Sequence, residues 1–146
     1  MQPTWILVAD RARARILEIS DEEPLTEIAC FASPESRVHA RDTTTHRLPR
    51  TNESASAARH AIEPHTPLRQ KASQRFARLL GDALERGRDE RRYERLVLVA
   101  PPRFLGTLHE ALDDPLRECV VEEVGHDLTM LPIHALRERL PPAALR

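Results

Sequence analysis

The sequence predicts an α/β fold, a mixed sheet that opens with an antiparallel hairpin or meander and carries flanking helices. Three observations predict it. Short apolar runs separated by turn residues fill the first 32 positions, a helical period takes over near position 67, and strand-like and helix-like patterns then alternate to the end.

The first strand is residues 5–9 (WILVA), which are short, branched and almost wholly apolar. Asp10 and Arg11 make the turn, and residues 12–20 (ARARILEIS) alternate before breaking at Asp21-Glu22-Glu23-Pro24. Residues 25–32 (LTEIACFA) supply a third strand. From 33 to 66 neither period holds, and the segment reads as one long irregular loop rich in Ser, Thr, Pro, Arg and His. Its only helical hint is a short piece around 54–61.

Thr66 then reads as an N-cap, Pro67 as a first helical residue and Gly87 as the helix end. Between them Leu68, Ala72, Phe76, Leu79, Leu80, Ala83 and Leu84 mark an amphipathic face, with Arg and acidic residues opposite. Residues 95–100 (RLVLVA) form a buried strand, and Pro101-Pro102 turn the chain into a helix reaching about Leu112. Phe104, Leu105 and Leu108 are its inward side, and Gly106 reads as permitting close approach to the sheet. Asp113-Asp114-Pro115 interrupt it and open a short turn at LREC. Residues 120–124 form a strand ended by Gly125-His126-Asp127, and a last helix spans 132–140, stopped by Pro141-Pro142.

The 146 residues suit a single domain, 40% hydrophobic and 31% charged, with a net charge of only −1. Such a balance excludes a polycation that binds nucleic acid by bulk charge. Aromatics make up 3%, so the core rests on Leu, Val, Ile and Ala. Cys30 and Cys119 lack CxxC spacing and read as small buried residues. The first residues carry no basic segment ahead of their apolar run, and no apolar run nears the ~20 residues of a membrane span. The expectation is a cytoplasmic protein without membrane insertion.

In this order the chain resembles the host attachment proteins ("protein required for attachment to host cells"). The resemblance rests on PTWILVADRARARILE at the start, Arg59 to Pro64, QRFARLL at Gln74 to Leu80, the LVLVAPPRFLGTL block and the late HDLTMLP run. That family in turn is similar to the middle domain of archaeal and eukaryotic class I peptide-chain release factors and their ribosome-rescue paralogues. The resemblance implies a ribonuclease H-like sheet and a ribosome-visiting, RNA-binding role in translation.

The chemistry of those relatives is missing from the residues. Release factors carry Gly-Gly-Gln in the loop before the long helix, where glycine permits conformations that side chains forbid. Here the first glycine is Gly81, and the 33–66 segment has none. Ribonuclease H chemistry needs carboxylates converging on paired metals. Asp10 sits near the first strand's end, but only Glu18 and Glu27 join it in the early strands, and Asp10 reads as a turn residue. His39, His46, His60 and His65 lie at intervals that match no metal-ligand signature. The expectation is a non-enzymatic protein with no metal and no cofactor.

Binding has more support. Between 34 and 70 six arginines face four acids, and four histidines add to them. Arg37, His39, Arg41, His46, Arg47, Arg50, Arg59 and His60 form one candidate RNA- or partner-binding set. Arg11 and Arg13, beside Arg15 in a strand that sends Ala14 and Ile16 to the other face, form a second. Arg103 at the elbow is a third. The partner expected is the ribosome or a structured RNA, with a homodimer through an exposed sheet edge as the oligomer. Two alternatives stay open: an interaction protein that serves host-cell attachment indirectly, and a metal-dependent RNA or ester hydrolase at the strand-end cleft.

Overall fold

Three antiparallel strands open the fold: β1 (Thr4–Ala9), β2 (Arg13–Ile19) and β3 (Thr26–Ala32). The computed structural model describes residues 3–22, 24–35 and 51–145, with side chains from Pro67 onward in the last range. A helix, α1 (Thr51–Asp89), crosses to β4 (Arg95–Val99). Then follow α2 (Pro102–Ala111), α3 (Asp114–Cys119), β5 (Val120–Val124), α4 (Ile133–Arg139) and a 3-10 turn at Pro142–Leu145.

The sheet order is β3-β2-β1-β4-β5. β1 runs antiparallel to β2 and parallel to β4, and β4 is parallel to β5. The central position of β1 explains its composition. All six of its residues are buried, and a strand covered on both faces must be apolar throughout.

Side-chain alternation splits the interior into two cores. Trp5, Leu7, Leu96 and Leu98 point to one face, under Phe76, Leu80 and Leu84 of α1 and Phe104 and Leu108 of α2. Ile6, Val8, Val97 and Val99 point to the other, against Leu128, Leu136, Leu140 and Ala144. Each fully buried Leu contributes about 2 kcal/mol of transfer free energy. α3 opens with a side-chain cap, since Asp113 accepts the Leu116 amide at 2.9 Å.

Several expectations need correction. The irregular loop does not extend to 66, because α1 begins at Thr51 and runs through Thr66 and Pro67. Residues 51–63 hold Ala55, Ala57, Ala58 and Ala61, whose intrinsic helix preference leaves no hydrophobic period to detect. Residues 36–50 lie outside the described residues. Gly87 does not end the helix, which continues to Asp89, while Arg91 takes the left-handed turn at φ 57°. Gly87 is instead a packing residue: a Cβ there would lie 2.5 Å from the Trp5 ring. Gly106 has the opposite fate, facing open space on the outer side of α2. The close helix approach belongs to Gly81, where a Cβ would sit 3.2 Å from the Ala111 carbonyl oxygen. Cys30 is exposed and Cys119 half-buried, so only the second resembles the small core residue expected.

Candidate functional site, an arginine-lined groove

The carboxyl ends of the parallel strands are where open α/β sheets usually bind ligands. In this chain the position is occupied by structural hydrogen bonds. Asp10 Oδ1 accepts the amides of Ala12 at 2.7 Å and Arg13 at 2.8 Å, holding the β1–β2 turn. Asp10 Oδ2 lies 3.2 Å from the buried Thr129 hydroxyl, which lies 2.7 Å from Asp127 Oδ1. The hydroxyl has one proton, and the shorter contact places it on Asp127, so Asp10 Oδ1 carries the turn and Oδ2 makes the longer, secondary contact.

The arginines beside it hold the same corner. Arg15 donates to the carbonyls of Thr129 and Leu131 and pairs with Glu27, which leaves its side chain 16% exposed. The exposed basic face expected from Arg13 and Arg15 is thus reduced to Arg13, whose Nη1 reaches Met130 Sδ at 2.9 Å. Arg11 is exposed on the turn itself. At the elbow Pro101 precedes Pro102 with no side-chain cap, and two prolines offer no amide to an anion. Arg103 is exposed, and Phe104 and Leu108 turn inward as expected.

A second concavity lies on the α1 side of the edge strand. It is a cavity of about 440 Å³ lined by Phe31 of β3 and by Arg75, Arg78, Leu79, Asp82, Ala83 and Arg86 of α1. The helical lining positions recur at steps of three and four, so they share one flank of α1. The adjoining stripe, Phe76, Ala77, Leu80, Leu84 and Gly87, is buried. Among the described residues β3 is the edge strand, no described strand covers the flank beyond Phe31, and the groove opens there.

Its chemistry is mixed by design of that register. Phe31, Leu79 and Ala83 give an apolar floor, while Arg75, Arg78 and Arg86 are exposed around it with one acid, Asp82. Arg75 is held from across the mouth. Its Nε and Nη2 donate to the two carboxylate oxygens of Glu35 at 2.7 and 2.5 Å. This forked hydrogen bond holds the Glu35 carboxyl below its ordinary range and raises the Arg75 guanidinium above its own. Glu35 leaves the sheet beside the β1–β2 turn, since the Ser33 amide donates to the Ala12 carbonyl at 2.8 Å.

The structure therefore brings together residues that sequence reading did not select. Phe31, Glu35, Arg75, Arg78, Asp82 and Arg86 make the groove. Of the expected set, Arg11 and Arg13 stand at the neighbouring turn and Arg103 at the elbow. Arg37, His39, Arg41, His46, Arg47 and Arg50 lie outside the described residues, as do the side chains of Arg59 and His60 on α1. The signal that was available is the repeat of arginine at 75, 78 and 86 beside apolar Leu79 and Ala83, on a helix flank that is neither core nor uniformly charged. Among the described residues, no three His, Cys, Asp or Glu side chains group as metal ligands, and no helix is long and apolar enough to cross a membrane.

Residues 5–140, which include every groove residue, match the family described as "Protein required for attachment to host cells". The chain belongs to that family. Within it the strand core, the α1 flank and the LVLVAPPRFLGTL block all lie inside the matched range. The host-attachment chain is also similar to the uncharacterized protein RP470 of Rickettsia prowazekii (strain Madrid E), at 29% identity over 77 residues. That match spans 51% of this chain and 51% of the rickettsial protein, so the chain covers about half of that relative's length.

Proposed function

We propose that this host-attachment protein is a non-catalytic RNA-associated factor, with the ribosome as the first RNA to test. The observation that carries the reading is the groove, in which three exposed arginines rim an apolar floor containing an aromatic ring. Proteins that bind single strands combine these two elements, basic side chains for the backbone and an aromatic surface for the bases. Arginine suits the role because its planar fork takes phosphate bidentately. The strand order β3-β2-β1-β4-β5 also supports a ribonuclease H-like reading of the sheet, the form implied by the release-factor resemblance.

Binding is favoured over turnover because the strand-end carboxylate that a hydrolase would use, Asp10, already holds the Ala12 and Arg13 amides through Oδ1 and has Oδ2 against the Thr129 hydroxyl. The test is sedimentation of the protein with ribosomes from lysate in gradients. The wild-type protein should travel with the ribosomal fractions at low salt, and an Arg78→Glu/Arg86→Glu variant should remain at the top. A wild-type protein confined to the top fractions in growth and in stress refutes the ribosomal assignment.

The family description favours a second reading, an interaction protein that contributes to attachment through other molecules. Labelling the surface of intact cells, beside a lysed control, separates the two. Labelling of the intact cells supports attachment, and labelling only after lysis supports the RNA-associated role.

A further inference from the structure

We infer that Glu35 is a built-in stand-in for a ligand phosphate, and that single-stranded RNA enters the groove by displacing its carboxylate from Arg75. The inference rests on the RNA-associated reading above and specifies the ligand class and the control of that same site.

The geometry of the pair is the first support. Arg75 presents Nε and Nη2 to two oxygens of one anion, at 2.7 and 2.5 Å. A phosphodiester offers the same pair of oxygens to the same fork. Exposure is the second. The two side chains are 56% and 42% exposed, so water and salt screen the pair, and an incoming anion can exchange with it without opening the core.

Tethering is the third. Ser33 is 1% exposed and hydrogen-bonded to the β1–β2 turn, two residues before Glu35. The carboxylate is thereby kept at a high effective concentration beside Arg75, where it competes with weak anions and yields to multivalent ones. Only a ligand that also engages Arg78 and Arg86 replaces it with profit, which makes the contact selective for a chain of phosphates over a free anion.

The shape of the site favours a single strand over a duplex. Arg75 and Arg86 are eleven residues apart, about 16 Å along the helix axis. The cavity between them, about 440 Å³, is the size of a small-ligand pocket and is floored by Phe31, Leu79 and Ala83. An unstacked base fits that floor, whereas paired bases are turned inward and present only backbone. Asp82 on the rim is a hydrogen-bond acceptor suited to a base amino group or a 2′-hydroxyl.

The experiment measures fluorescence anisotropy of a labelled oligouridylate with the full chain over a range of salt, with duplex RNA, polyglutamate and inorganic phosphate as competitors. Glu35→Gln should bind the oligonucleotide about 3- to 10-fold more tightly than wild type. Its slope of log affinity against log salt should match that of wild type, because Arg75 meets a phosphate in both complexes. Glu85→Gln, which removes the same charge from an exposed α1 position outside the groove, should change affinity less than about 2-fold. Arg75→Ala should abolish the gain from Glu35→Gln, and Phe31→Leu should weaken binding about 5- to 150-fold, the value of one stacked base. Thermal melts of each variant confirm folding.

An unchanged affinity in Glu35→Gln, a slope steeper by about 0.7 (a phosphate contact that wild type lacks), or an equal gain in Glu85→Gln overturns the exchange while leaving RNA binding in place. Equal competition by duplex RNA or by polyglutamate overturns the single-strand assignment. Failure of the wild-type chain to bind any RNA overturns both readings.

Discussion

Gly87→Ala is the sharpest test of how α1 seats on the sheet. An exposed helical glycine normally gains about 1 kcal/mol when replaced by alanine, because the glycine loses more backbone freedom on folding. Here a Cβ would lie 2.5 Å from Cη2 and Cζ3 of Trp5 and 3.1 Å from Cε1 of Tyr93. Ordinary contact requires about 3.4 Å, so the indole has to retreat by about 0.9 Å. It has little room to do so. Trp5 is 5% exposed, stacks on Tyr93 at 4.6 Å and donates its Nε1 proton to Glu18 at 2.9 Å.

Overpacking of this kind costs about 1–3 kcal/mol, and the propensity gain offsets about 1 of it. The expected net loss is about 1 kcal/mol, or about 3 °C in Tm for a chain of this length. The assay is urea and thermal unfolding, followed by Trp5 fluorescence and by far-UV circular dichroism. The same substitution in a Trp5→Leu background, followed by circular dichroism alone because Trp5 is the one tryptophan, meets only Tyr93 Cε1 at 3.1 Å and should stabilise by about 1 kcal/mol. The cycle therefore predicts a coupling energy of about 2 kcal/mol between the two positions. A rise in Tm for Gly87→Ala in the wild-type background, or equal effects in both backgrounds, refutes the packing argument.

Gly106→Ala should behave oppositely, since its Cβ meets nothing within 4 Å: a gain of about 0.5–1 kcal/mol and about 2–3 °C, with a loss counting against the outward placement. Tyr93 predicts an alkaline limb. Burial pushes its phenol well above the usual range, so its stabilising effect is whole below about pH 10 and is lost as pH rises towards the folded pKa. The loss should reach about 1.4 kcal/mol per pH unit, after an earlier and smaller one from Cys119, also raised by burial. Tyr93→Phe should flatten the later limb while costing about 1 kcal/mol at neutral pH through the lost bond to the Leu84 carbonyl. Identical alkaline limbs in the two proteins would exclude Tyr93 as the cause.

Much of the fold was legible because the signals are local. A strand buried on both faces cannot tolerate polar residues, so WILVA and RLVLVA announce β1 and β4 wherever they sit. Pro101-Pro102 and Asp113 mark helix starts through dihedral limits and amide capping, which also act within a few residues. The first half of α1 was hidden for the converse reason. Its alanines favour a helix without drawing an apolar stripe, and the Thr66-Pro67 pair imitates a start that the longer helix overrides.

By itself the sequence determined the α/β class, the order of elements and the absence of Gly-Gly-Gln ahead of the helix. Tertiary structure alone decided where chemistry can occur. Glu35 and Arg75 meet across forty residues, and Phe31 joins them because β3, the edge strand among the described residues, lies beside one flank of α1. The same packing turned Gly87 from a helix end into a seat for Trp5 and occupied Asp10 with backbone amides. Periodicity reports which side of an element is buried. It does not report which distant chain end that side will meet, and the groove exists only in that meeting.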